Sequence, residues 1–150
     1  MSDPEILFGI YCPPHPQPLL TPEANEGYGR LRDAFETCRK RIEESEADLI
    51  LVYSTTWPSI IGHQIQGHPE PEWVHVDDDF HYLGSMPYKF KMDTEFAEKF
   101  RECAESRGLQ SRTVAYDGFP IDTGSIVALK LLNPDNRIPA CIVSSNMYAN

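Results

Sequence analysis

The chain has 150 residues, with 13 Lys and Arg against 23 Asp and Glu, a formal net charge of −10 and a hydrophobic fraction of 41%. This length and apolar content suit one globular domain with its own core and exclude a disordered chain. The acidic balance disfavours nucleic acid and anionic membrane surfaces as partners, and no apolar run approaches the length of a membrane span.

The first apolar run, "ILFGIY" from Ile6 to Tyr11, is nearly continuous and predicts a strand covered on both faces. The stretch before it has no basic region, so a secretory signal is not expected. "CPPHPQPLL" follows, from Cys12 to Leu20. Proline fixes φ and lacks an N–H, so the chain must turn here and display His15 on a stiff loop. Tyr28, Leu31, Phe35, Cys38 and Ile42 recur at spacings of three and four, which predicts a helix from about Glu26 to Ser45. "DLILVY", Asp48 to Tyr53, predicts a second buried strand ending in Ser54-Thr55-Thr56-Trp57. Strand, helix and strand make a βαβ unit, whose two strands should run parallel.

Ile60 to Tyr88 reads as a long irregular segment rich in Gly, Pro, His and Asp. Loops of that length in a compact domain are functional or inserted. A helix is predicted from about Asp93 to Arg107, with Asp93 as N-cap and Gly108 as stop. "SRTVAY" predicts a short third strand. "DTGSIVALKLLNP" is readable as strand or as a short buried helix. Helix is favoured, because "IPACIVSS" directly after it makes the better strand.

The expected fold class is therefore α/β, one domain over 1–150, with a mostly parallel central sheet and flanking helices. Ligands of such sheets bind outside the carboxyl ends of the strands. The loops leaving those ends nominate His15, Thr55, Thr56, Asp122, Thr123, Ser145 and Asn146. The four cysteines (Cys12, Cys38, Cys103 and Cys141) are far apart and form no CxxC pair, which fits reduced thiols in a cytoplasm.

Three of these loops carry a family pattern. Pro14-His15-Pro16 follows the first predicted strand, Ser54-Thr55-Thr56-Trp57 ends the second, and Asp122-Thr123-Gly124 opens "SIVALKLLNPDNRIPACIVSSN". Together with "DFHYLGSMPYKFKMDTEFAEKF", they resemble the class III extradiol ring-cleavage dioxygenases over essentially the whole chain. The resemblance implies iron(II)-dependent opening of catechol- or aminophenol-type rings in aromatic catabolism. It places an iron-binding histidine at His15, a second at Thr56, an acid/base histidine at Thr123, and a glutamate ligand in a C-terminal part outside this chain.

The departures decide the expected role. Non-haem iron(II) for oxygen chemistry needs about two imidazoles and a carboxylate on one face. A threonine hydroxyl is a poor ligand and does not exchange a proton near neutral pH. The reading is thus a metal-site-degenerate, cytoplasmic subunit that binds no iron alone and assembles as a hetero-oligomer with a catalytic homologue. His15, Thr56, Thr123 and Asn146 would face the aromatic small molecule, with His15 as the surviving metal-ligand position. Two alternatives stand beside it. One is an active iron(II) enzyme with a rearranged ligand set, in which His63 folds back towards Thr56. The other is a small-molecule binding module without catalysis. His63, His68, His75 and His81 with Asp77, Asp78 and Asp79 read as a second metal site or a solvated acidic loop. Trp57, Trp73, Tyr82 and Tyr88 read as an aromatic pocket, as loop packing or as a subunit face.

Overall fold

The computed structural model describes residues 5–148; residues 1–4 and 149–150, including the start of the N-terminal stretch read above, lie outside the described residues. The elements in chain order are α1 (Gln17–Leu20), α2 (Glu26–Glu44), β1 (Ile50–Ser59), β2 (His63–Gln66), β3 (Glu72–His75), β4 (Met86–Lys89), α3 (Thr94–Ser106), β5 (Ser111–Val114), α4 (Thr123–Leu132) and β6 (Ala140–Asn146). The main sheet has the order β1-β6-β2-β5. β1 runs parallel to β6 and β2 parallel to β5, while β2 meets β6 antiparallel at Ile65 and Val143. The α/β class with a mostly parallel sheet is thus observed.

Alternation along β6 sorts the core into two layers. Ala140 and Ile142 face the cluster formed with α2 and α4, through Phe35, Ile42, Ile126 and Leu129. Cys141 and Val143 face the opposite side, where Ala97, Phe96 and Phe100 of α3 cover them with Ile65. Asn25 caps α2 by accepting from the Tyr28 N–H, and Asp93 caps α3 by accepting from the Phe96 N–H. Gly108, at φ +80°, closes α3 in the left-handed region that glycine tolerates. Eight of the ten residues of α4 are buried, which is why its sequence has no polar stripe and reads equally as strand.

Two expectations are corrected. Ile6 to Tyr11 forms no strand; Ile6 is 90% and Tyr11 96% exposed. A strand needs a neighbouring ladder, and the parallel partner of β1 is β6, so the expected βαβ unit does not form. Phe8, Ile10 and Cys12 instead lie against the core without joining the sheet, with the Arg41 guanidinium 4.7 Å above the Phe8 ring. Ile60 to Tyr88 is not one irregular loop. It contains β2, inserted between β6 and β5, and the antiparallel hairpin β3–β4, in which Trp73 pairs with Tyr88 and His75 with Met86. β2 is short and polar, "HQIQ", and becomes a strand because both its edges find partners in the sheet.

Candidate functional site at the strand ends

A bulge in β1 begins the site. Ser54 pairs with Ser144 and Pro58 with Ser145, so Thr55, Thr56 and Trp57 are extra residues in β1. Such bulges re-aim side chains. Ser54 holds this one, its Oγ accepting from the N–H groups of Thr56 and Trp57, both at 3.2 Å. The released Thr56 side chain then donates from Oγ1 to Asp122 Oδ2 at 2.5 Å.

Asp122 is the hub. As N-cap of α4 it accepts from the Ser125 N–H at 3.0 Å, and the same Oδ2 accepts from Ser54 Oγ at 2.8 Å. Its Oδ1 accepts from Ser125 Oγ at 2.7 Å. Four donors on one carboxylate tie the bulge of β1 to the start of α4. Gly124 lets the two approach: an added Cβ would lie 2.5 Å from Thr56 Oγ1 and 3.0 Å from Pro14 Cβ. Three of the sequence-nominated loops therefore meet at Pro14, Thr56, Asp122 and Gly124.

Thr123, 8% exposed, is engaged from a direction that sequence reasoning missed. His75 Nε2, at the end of β3, lies 2.9 Å from Thr123 Oγ1, and Thr123 Oγ1 donates to Asp77 Oδ2 in a short hydrogen bond. Burial pushes the Asp77 carboxyl up, but the hydrogen bond from Thr123 and those from the backbone N–H groups of Phe80 and Asp79 outweigh it and hold the group below the ordinary aspartate range. The available signal was the i, i+2 spacing of His75 and Asp77, which puts both side chains on one side of an extended chain.

The other nominated residues have separate surroundings. His15 is exposed, its ring 6.0 Å from that of Phe80 in an edge-on contact. His63 Nδ1 lies 3.2 Å from the Ser144 carbonyl, with its ring beside Tyr53. Asn146 Oδ1 accepts from the Tyr148 N–H, and Ser145 Oγ donates to the Trp57 carbonyl. His68 contacts Asp117 and His81 the Asp78 carbonyl, so the four histidines of the 63–81 segment go to four different partners. Among the aromatics, Tyr88 is core, stacked on Phe90 with its hydroxyl accepting from the Ile121 N–H. Trp57 packs on Phe119, Tyr82 lies beside Phe80, and Trp73 is exposed on the hairpin.

These donors do not fit iron(II). His15 is an isolated imidazole, the hydroxyls of Thr56 and Thr123 point their protons into carboxylates, and Asp122 already accepts four hydrogen bonds. Among the described residues no group of three or more His, Cys, Asp or Glu is placed to hold a metal ion.

Residues 9–150 match the family described as the catalytic LigB subunit of aromatic ring-opening dioxygenase. The chain is 28% identical to the 2-aminophenol 1,6-dioxygenase alpha subunit of Pseudomonas sp. over 95% of its own length and 53% of that protein. It is 30% identical to the beta subunit of the same-named enzyme, over 97% of its own length and 50% of that chain. The 3,4-dihydroxyphenylacetate 2,3-dioxygenase of Escherichia coli is 22% identical over 75% of this chain and 41% of that one. The chain thus spans about half the length of the first two relatives and less of the third. With the family match covering nearly all of it, the chain belongs to the LigB family of class III extradiol, aromatic ring-opening dioxygenases.

Proposed function

We propose that this chain is a single extradiol dioxygenase-like domain that serves as a non-catalytic subunit in aromatic-ring catabolism and assembles with a catalytic homologue. The observation that carries the reading is the fate of the two hydroxyls. Thr56 and Thr123, at the positions where the family resemblance puts a metal-ligand and an acid/base histidine, are both spent on internal hydrogen bonds to Asp122 and Asp77. Those bonds stabilise the fold of the strand ends and leave no ligand set for iron. That two relatives are named as alpha and beta subunits of 2-aminophenol 1,6-dioxygenase supports pairing between homologous chains and a catechol- or aminophenol-type ligand. Free cysteines at positions 12, 38, 103 and 141 support a reducing compartment such as the cytoplasm.

The test is co-expression with a homologue that has histidines at the positions of Thr56 and Thr123. The chain should co-purify with it. Alone, supplied with iron(II), it should consume no dioxygen with catechol or 2-aminophenol. Ring opening by the isolated chain overturns the non-catalytic role, and failure to form a complex overturns the assembly.

A further inference from the structure

The hydroxyl of Thr123 has one proton, and that proton is committed. An ionised carboxylate can only accept, so the short contact with Asp77 Oδ2 is a hydrogen bond donated by Thr123. The 2.9 Å contact with His75 Nε2 must then run the other way, with Nε2–H donating to Oγ1. This proton count assigns the tautomer: in the neutral ring Nε2 bears the hydrogen and Nδ1 bears the lone pair. Among the described residues no hydrogen bond engages Nδ1 of His75, whereas Nδ1 is engaged in His63, His68 and His81. The relay is anchored at both ends. Thr123 is buried at the first turn of α4, and Asp77 Oδ1 accepts from the N–H groups of Asp79 and Phe80, both at 3.0 Å. Phe80, whose N–H is one of the Asp77 donors, in turn meets the ring of His15 on the proline loop.

We propose that His75 is the proton-accepting group of this site, binding the hydroxyl of a phenolic ligand at its Nδ1, with Thr123 and Asp77 as the residues that position it. The proposal rests on the reading that an aromatic ligand of the family's type enters here, and it concerns binding rather than ring opening. The ligand O–H donates to Nδ1. If the proton crosses, the oxygen becomes phenolate and the ring becomes imidazolium, still donating through Nε2 to Thr123 and facing the Asp77 carboxylate. The role of the family's acid/base position thus passes, through a hydroxyl at that position, to a histidine from the β3–β4 hairpin.

Anaerobic calorimetric titration of the metal-free full chain with catechol and with 1,2-dimethoxybenzene, which has no hydroxyl to donate, tests this. Catechol should bind about tenfold tighter, the scale of one hydrogen bond between neutral partners. His75→Phe should abolish that preference. Thr123→Ser, which keeps the hydroxyl, should retain it, while Thr123→Val, which keeps the shape, should lose most of it; a purely packing role would give the opposite order. Thermal melts identify any variant that does not fold, and if His75→Phe is one, the Thr123 pair decides. No binding of catechol, equal binding of the two probes, or equal behaviour of the Ser and Val variants overturns the proposal. None of these outcomes bears on co-purification with the catalytic homologue, and loss of that complex does not touch the role of His75.

Discussion

Two apolar stretches of this chain look alike in sequence and end in opposite places. Ile6 to Tyr11 and the run Ala140 to Val143 within "IPACIVSS" both read as strands. The second sits in the middle of the sheet between β1 and β2, with Ile142 0% exposed. The first has no ladder beside it and leaves Ile6 and Tyr11 at the surface. The difference is backbone pairing: side-chain apolarity makes a strand possible, and a hydrogen-bonded neighbour makes it one.

The contrast can be broken by substitution, and the largest effect belongs to the paired stretch. Ile142→Ala empties a site packed from two helices and should cost about 2–5 kcal/mol in urea unfolding. Asp122→Ala removes the α4 cap and strands the donors of Ser54, Thr56 and Ser125, for about 2–3 kcal/mol by the same measurement. Gly124→Ala pushes a Cβ into Thr56 and Pro14 and should cost about 1–3 kcal/mol. A smaller effect comes from Asp77, whose carboxyl is held below its ordinary value in the fold. Its contribution is fully present above the unfolded aspartate pKa of about 3.9 and is lost as pH falls through the lower native value. The urea midpoints of the wild type and Asp77→Asn, compared from pH 7 downwards, should therefore converge on the acid side. Ile6→Ser, in the unpaired stretch, should shift the midpoint by under about 0.5 kcal/mol. A cost near that of Ile142→Ala would mean that the N-terminal run is part of the core after all.

The site divides in the same way. Legible without the fold were the proline turn and Asp122 ahead of α4, through local rules of turn and capping chemistry, whereas Ser54 to Trp57, read as the end of a strand, is a bulge inside β1, which runs on to Ser59. That the loops carrying Pro14, Thr56 and Gly124 should meet was expected from the strand-end rule, and the space around Gly124 gives their contact a physical reason. In the sequence, His75 and Asp77 read as part of a second metal site or of a solvated acidic loop. Their partner lies 48 residues from His75, and no local pattern encodes a hydrogen bond across that distance. Nor did "HQIQ" advertise a buried strand, since its polarity argues for the surface and only the flanking strands make it interior.

By itself, then, the sequence determined what short-range physics controls: the spans of α2 and α3, the Asp93 cap, the glycine stop and the strand character of β6. The tertiary structure decided what depends on distant partners. It paired β1 with β6 rather than with the N-terminal run, folded 60–88 into a strand and a hairpin, and used that hairpin to bring a histidine to Thr123. The reason is that local signals act over a few residues, whereas ladders and buried hydrogen bonds are satisfied only when separate segments meet.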